Sequence, residues 1–315
     1  MTLRVFDAGQ TRSALPFAAL ISALREVFAA GAEVPLRHHH HIPQADGHDA
    51  VLLLMPAWQE AYLGVKIVTI FSGNPARNLP GVYSTYLLSR AETGEPLALL
   101  DGNEITGRRT LGVSALAASY LARAAASSLA IVGAGRIAAL AAEAFQSVRP
   151  IREVAVWDID PAMAARLVER LRTDGFEASV APDLEAAVRH ADIVCCATLS
   201  KEPLIKAAWL KPGAHLDLIG SFTPAMREAE DACFGLGPVF VDSGDALKET
   251  GDLIGPIEAG GLDPSHVGTL AQLCTGERAG RRRNDEITVF KAVGTALSDI
   301  AAGVLAYRHT VEAAQ

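Results

Sequence analysis

Two domains, one built on a parallel α/β sheet and one of mixed α+β character, are expected from three features of these 315 residues. The length is about twice that of an ordinary domain. After residue 124, short apolar runs alternate with helical stretches, the pattern of strands joined by crossover helices. One of those runs leads straight into a glycine-rich turn that opens a helix. The composition agrees: 50% of residues are hydrophobic and 20% charged, enough to bury a sizeable core and too apolar for a disordered chain.

The first 120 residues read as the α+β domain. Residues 17–29 form an amphipathic helix, and 51–57, 62–70, 82–89 and 95–100 are strands of one sheet with hairpin-type connections. A helix follows over 107–123, with Thr106 as its expected cap. The parallel-sheet domain then takes strands 129–132, 154–157, 193–196, 215–219 and 239–241, with helices 137–145 and 163–171 between them. Residues 285–308 read as one long helix containing Gly294, expected to return to the first domain. The expected division is 1–120 with 290–315 against 121–289.

A net charge of −8, from 28 Lys and Arg against 36 Asp and Glu, argues against nucleic acid and anionic membrane as partners. A local cationic pocket is still compatible with it. Cys195, Cys196, Cys233 and Cys274 have no metal or redox spacing, and the adjacent pair sits in an apolar run. That usage fits a reducing compartment. The N-terminal residues lack the plan of a signal peptide, and the longest weakly charged stretch, 124–135, is too short to span a bilayer. A cytoplasmic location is expected. His38, His39, His40 and His41 invite a metal reading, with His48 as a further candidate ligand. On an extended segment only alternate residues share a side, and no Cys, Asp or Glu joins them at ligand spacing. The expectation is no metal, and a partly exposed strand or loop lining a polar cleft.

Chemistry is carried by two groups of residues. Gly133-Ala134-Gly135-Arg136-Ile137-Ala138 is a GxGxxA turn with a strand before it and a helix after it. The first glycine allows the tight turn, the second lets backbone approach a pyrophosphate, and Ala138 permits close packing of helix on strand. Asp158 ends the next strand, where a carboxylate accepts both ribose hydroxyls of NAD and repels a 2′-phosphate. NAD(H) is favoured; NADP(H) stays open because Arg136 can serve a phosphate from the glycine loop. The second group is cationic: Arg37, Lys66 on a strand of apolar neighbours, and Arg109 in the first turn of a helix. Each has a plain structural reading, Lys66 snorkelling, Arg109 pairing with Asp101 or Glu104, and Arg37 solvated. Together they suggest a site for a carboxylate, Arg supplying a fork and Lys a point charge.

These residues resemble a known family. Lys66-Ile67-Val68, the run from Asp101 to Thr110, the stretch Ser114-Ala115-Leu116-Ala117, the glycine loop, Ala191-Asp192-Ile193-Val194 with Ala197-Thr198, and the run from Asp285 to Gly294 are similar, in that order, to the ornithine cyclodeaminase/mu-crystallin family. The resemblance implies a Rossmann dinucleotide-binding domain joined to an α+β substrate and dimerisation domain, hence a homodimer. It implies that Arg37 and Lys66 hold a substrate carboxylate and that Arg109 approaches both cofactor and substrate. Arg136, Ile137, Asp158 and Thr198 would border the dinucleotide, with Gly220 and Ser221 near the nicotinamide. Ser221 or Thr223 would orient the substrate nitrogen.

Two departures qualify the resemblance. Phe222 stands where ornithine cyclodeaminases carry an aspartate that binds the amine and activates water, and phenylalanine can do neither. The stretch from Ser221 to Glu228 instead resembles the branch that reduces cyclic ketimines such as Δ1-pyrroline-2-carboxylate. Gly81 replaces a Ser or Thr that relatives more often carry. The expected activity is NAD(P)H-dependent reduction of a cyclic imino acid to L-proline or L-pipecolate. Ornithine cyclodeamination, an alanine or N-alkyl amino-acid dehydrogenase, and a non-catalytic crystallin-like binding protein are the alternatives.

Overall fold

A computed structural model describes residues 3–44 and 49–312, in two compact units: one from the N-terminus to Arg109 with Thr295 onward, the other Thr110–Gly294. The first contains β1 (Arg4–Val5), α1 (Ala8–Ser13), α2 (Phe17–Ala30), β2 (His38–Pro43), β3 (Asp49–Gln59), β4 (Tyr62–Phe71), β5 (Val82–Arg90), β6 (Pro96–Asp101) and the start of α3 (Gly102–Leu121). Its sheet runs β1-β6-β5-β4-β3-β2, antiparallel except where β1 joins β6. Along β4, Gly64, Lys66 and Val68 fall on one buried face, as the two-residue period of a strand requires. α2 turns Phe17, Leu20, Ile21, Leu24 and Phe28 inward at helical spacing.

α3 starts earlier than the sequence suggests. Asp101, not Thr106, caps it, its Oδ1 accepting the Glu104 N–H at 2.8 Å. The chain can turn there because residue 102 is glycine: a Cβ would lie 2.5 Å from the Ser84 backbone. The helix begins in the first unit and ends in the second, so the division falls inside it at Arg109/Thr110 instead of at 120/121.

The second unit continues with β7 (Ser128–Val132), α4 (Ala141–Gln146), β8 (Glu153–Trp157), α5 (Pro161–Thr173), β9 (Glu177–Val180), α6 (Leu184–His190), β10 (Ile193–Cys196), β11 (His215–Leu218), β12 (Val239–Val241), α7 (Ala246–Glu249), α8 (Gly251–Glu258), β13 (Gly268–Thr269), α9 (Leu270–Thr275) and β14 (Thr288–Lys291). The eight strands are all parallel, in the order β13-β12-β14-β11-β10-β7-β8-β9. This is the doubly wound Rossmann arrangement, whose strand order reverses between β7 and β10. A short 3-10 turn, Ala138–Leu140, and α4 stand where one helix was expected over 137–145.

The largest correction lies at 285–308. Thr288–Lys291 is not helix but β14, a strand between β11 and β12 with every residue buried. The helix, α10 (Ala296–Glu312), starts after Gly294, whose φ of +85° breaks the chain direction, and belongs to the first unit. The second division accordingly falls at Gly294/Thr295 and not at 289/290.

Asp217 lies fully buried on β11, and burial pushes its carboxyl up to about 7 from an ordinary 3.8. The folded state therefore holds this proton more tightly than the unfolded chain. Its stability contribution is full below pH 3.8, is lost as pH rises to about 7, and is level above. Asp217→Asn should leave Tm near wild type at pH 4 and raise it at pH 8; an equal shift at both pH values would contradict a buried, proton-holding carboxyl.

Candidate active site

In the first unit the buried face of β4 carries Lys66 only 2% exposed, in a position where an aliphatic side chain would be expected. It is held there by Asp299 of α10, which is 0% exposed. Lys66 Nζ lies 3.0 Å from Asp299 Oδ1 and 2.9 Å from Oδ2. Arg109, 6% exposed in α3, places Nε 2.8 Å from the same Oδ1. Burial and the Arg109 charge lower the Lys66 ammonium to about 8, against the raising effect of Asp299. Arg37, half-buried ahead of β2, contributes the smallest share of that lowering. Burial alone would raise the Asp299 carboxyl, but Arg109 and Lys66 outweigh it and hold the group below its ordinary range. The structure thus brings Lys66 and Arg109 together on one acid, with the charge of Arg37 acting on Lys66.

Tyr86, opposite Lys66 in the β4–β5 register, completes the wall. Its ring is fully buried, and a Cβ on Gly64 or Gly303 would strike it at 1.8 and 2.3 Å. Both glycines are therefore required by the tyrosine. Burial, then Asp299, raises its hydroxyl well above the ordinary value, so it stays a neutral donor.

The plain alternative for Arg109 is not what the structure shows. Glu104 is taken by Arg12 at 2.6 Å, and Asp101 caps α3. The neighbouring Arg108 instead donates to the Leu15 carbonyl at 2.5 Å and lies over the Phe17 ring. Of the adjacent arginines, one anchors α3 and the other enters the site. The four histidines open β2, an exposed edge strand paired with β3. His38 and His40 share a side, ring centroids 6.4 Å apart. His48 lies outside the described residues. Among the described residues no three His, Cys, Asp or Glu side chains group around a metal position.

In the second unit the glycine loop follows β7 at the point where the strand order reverses. Gly133 has φ +97°, and a Cβ there would lie 2.7 Å from the Ala197 carbonyl oxygen after β10. A Cβ on exposed Gly135 would meet nothing within 4 Å, so nothing inside the protein demands a glycine there. Close approach by an external group such as a pyrophosphate does demand one. Arg136 is exposed beside it, Ile137 is half-buried, and Ala138 packs fully buried. The loop fits a dinucleotide. Asp158, at the end of β8, accepts the Ala134 N–H at 2.6 Å and the Asp160 N–H at 2.8 Å. Each carboxylate oxygen keeps a further lone pair for a ribose hydroxyl.

The loops after β10 and β11 hold the remaining residues. Thr198 N–H and hydroxyl both donate to Glu228 Oε1, at 2.8 and 2.9 Å, and Gly220 N–H donates to Oε2 at 2.7 Å. Ser221 corrects the sequence reading. It is 0% exposed, and its hydroxyl is engaged with the Met226 carbonyl and the Thr250 hydroxyl, both at 2.5 Å. That hydroxyl fixes the loop. Thr223 is half-buried, its carbonyl accepting the Met226 and Gly251 N–H groups. Phe222 between them is 50% exposed.

Asp299 and Glu228 are the residues that sequence reasoning missed. A signal existed for Asp299: it is the only acid between Glu286 and Glu312, set among Ala296, Ile300, Ala301 and Ala302. A charge in such a run is buried only when paired. Asp299→Asn leaves two buried cations without their counter-ion and should destabilise the protein by ~3–5 kcal/mol in urea unfolding. Adding Lys66→Met should recover part of that loss; strictly additive effects would show the pair is not coupled.

The comparisons extend this geometry. Residues 8–313 match the model of the ornithine cyclodeaminase/mu-crystallin family. A Δ1-pyrroline-2-carboxylate reductase of Paracoccus denitrificans is 41% identical over 84% of this chain and 87% of its own. A solved Δ1-pyrroline-2-carboxylate reductase of Thermococcus litoralis, in complex with NADH and L-proline, superimposes with a TM-score of 0.92 at 31% identity, covering 99% of this chain and 98% of that one. An archaeal alanine dehydrogenase dimer with bound NAD gives 0.90 at 29% identity, over 100% and 98%. By its sequence from end to end and by its fold, the chain belongs to the ornithine cyclodeaminase/mu-crystallin family.

Proposed function

We propose that this protein reduces a cyclic imino acid, Δ1-pyrroline-2-carboxylate to L-proline and its six-membered homologue to L-pipecolate, by hydride transfer to C2. It is an oxidoreductase of the C=N/CH–NH class with NAD(H) as favoured cofactor, as in its relatives. The observation that carries the substrate reading is the Lys66–Asp299–Arg109 cluster. Two cations share one acid, which leaves one buried positive charge for the carboxylate of a small substrate. Arg37 adds a second cation at the approach.

When bound, the reduced nicotinamide supplies the hydride. The protein's own residues hold, orient and protonate. Arg109 and Arg37 offer fork geometry to the substrate carboxylate, and Lys66 a third donor. Holding the imine carbon in one place supplies much of the rate, because the reacting centre needs no further activation once its nitrogen is protonated. With its ammonium lowered to about 8, Lys66 is poised to give up a proton near neutral pH. In the second unit, Gly133, Ala134, Gly135, Arg136, Ile137 and Asp158 take the dinucleotide, with Thr198 and Gly220 on its nicotinamide side. Ser221 and Thr223 shape that loop. Asp158 favours an unphosphorylated ribose.

Phe222 speaks against cyclodeamination of ornithine. The loop after β11 exposes an aromatic ring where that chemistry needs a carboxylate, and the nearby acid, Glu228, is buried and occupied by backbone N–H groups. A homodimer located in the cytoplasm completes the proposal; the alanine dehydrogenase neighbour is itself a dimer.

A 340 nm assay crossing NADH and NADPH with five- and six-membered cyclic imines tests the reading. NADH oxidation by an imine alone, faster than with NADPH, is expected. Turnover only with a keto acid plus an amine, or ammonia release from ornithine, would overturn it, and equal rates with NADPH would remove the role given to Asp158. Lys66→Met should lower kcat/KM by about 100-fold or more, the scale of a lost charged hydrogen bond in a buried site. Wild-type kcat/KM in that variant would rule out the carboxylate anchor.

A further inference from the structure

Glu228 closes two strand ends at once. Thr198 follows β10 and Gly220 follows β11, neighbouring parallel strands, and the single carboxylate receives both backbones and the Thr198 hydroxyl. No side chain fits between: a Cβ on Gly220 would lie 2.0 Å from the Thr198 carbonyl oxygen and 2.4 Å from Glu228 Oε1. Behind it, the Glu228 N–H donates to Asp252 Oδ1 at 2.7 Å. Lys291 Nζ, at the end of β14, lies 3.3 Å from Asp252 Oδ2 and 3.9 Å from Glu228 Oε2. All three side chains are 0% exposed. Burying three charges is a costly way to join two loops, and an apolar contact would do so more cheaply. Charge here fixes a geometry.

The place of that geometry in the sheet says what it serves. Ligands of a doubly wound sheet lie beyond the carboxyl ends of the strands, where the order reverses. The glycine loop on β7 and Asp158 on β8 mark the adenosine half, to one side of the reversal. The ends of β10 and β11, to the other side, are left for the nicotinamide half. We infer that Glu228 is a positioning residue for the nicotinamide half of the cofactor, holding Thr198 and Gly220 in register without touching the ligand itself. The inference rests on the dinucleotide reading above and adds to it a residue buried behind the cradle.

The test compares two ligands by titration calorimetry on the whole protein: NADH, and ADP-ribose, which lacks the nicotinamide ring. Glu228→Gln keeps the side-chain size but turns one acceptor oxygen into a donor that cannot receive an N–H. Its Kd for NADH should rise about tenfold while that for ADP-ribose stays within about twofold of wild type. Equal weakening of both ligands, or no change in either, would overturn the inference. Should that variant fail to fold, Thr198→Val removes the hydroxyl arm, together with its long contact to the Ser200 N–H, and the same selective loss, about threefold or more, is expected; equal effects on the two ligands would again overturn it. Failure of wild-type protein to bind either ligand would instead remove the dinucleotide reading beneath it.

Discussion

One carboxylate, that of Asp299, decides how the first unit is built. It neutralises a lysine on β4 and an arginine on α3, both buried, and it comes from a helix 233 residues further along the chain than Lys66. Without it, two uncompensated cations would face the interior, at a cost of several kcal/mol each. With it, the packing of α10 against the sheet and the presence of charge in that packing become one requirement. The arithmetic also leaves a surplus. A structural ion pair needs one acid per base; here, among the described residues, two bases share one acid, and the surplus charge is the part of the arrangement that a folded protein does not need for itself.

The second unit follows the same logic at another place. Its central strands β10, β11 and β14 are buried on both faces, as parallel sheets require, while β8 and β9 are partly exposed. Against that background Glu228, Asp252 and Lys291 stand out as charges fixing the loops at the carboxyl edge, the edge where such sheets bind ligands. In both units apolar packing makes most of the scaffold, and each carries a cluster of buried charge at its candidate site, Lys66–Arg109–Asp299 in the first and Glu228–Asp252–Lys291 in the second.

Much of this was legible from residue order alone. Lys66 was visible as a charge in an alternating apolar strand, and the glycine loop because its flanking strand and helix are continuous with it. β14 was not, because Thr288–Lys291 is buried on both faces, and a short apolar run of that kind cannot be told from helix by periodicity. Reading 285–308 as one helix also hid the role of Gly294, which ends one unit and starts the return of the chain. Thr106 is a good cap residue in the wrong place; Asp101 preceded it, and only the close approach of Gly102 to β5 decides between them. Ser221 has the right chemistry for a substrate hydroxyl, but its direction is set by Thr250, 29 positions away. Glu228 ends the stretch that begins at Ser221, and residue order alone does not say that its carboxylate turns inward to the ends of β10 and β11. What was hidden in each case is which way a side chain points, and that is fixed by partners distant in sequence.

In the proposed function Lys66, kept charged by Asp299 but lowered to about 8 by burial and Arg109, anchors the carboxylate of a planar cyclic substrate. The most direct measurement is the pH dependence of binding of pyrrole-2-carboxylate, a planar carboxylate with no imine to titrate or reduce, to the NADH complex. Its association constant should be level from about pH 6, where the ligand is fully ionised, to about pH 8, and fall about tenfold per pH unit above it, as the ammonium loses its proton. Lys66→Met should abolish that break. A constant that is level to pH 10, or a break that survives in Lys66→Met, would contradict the account.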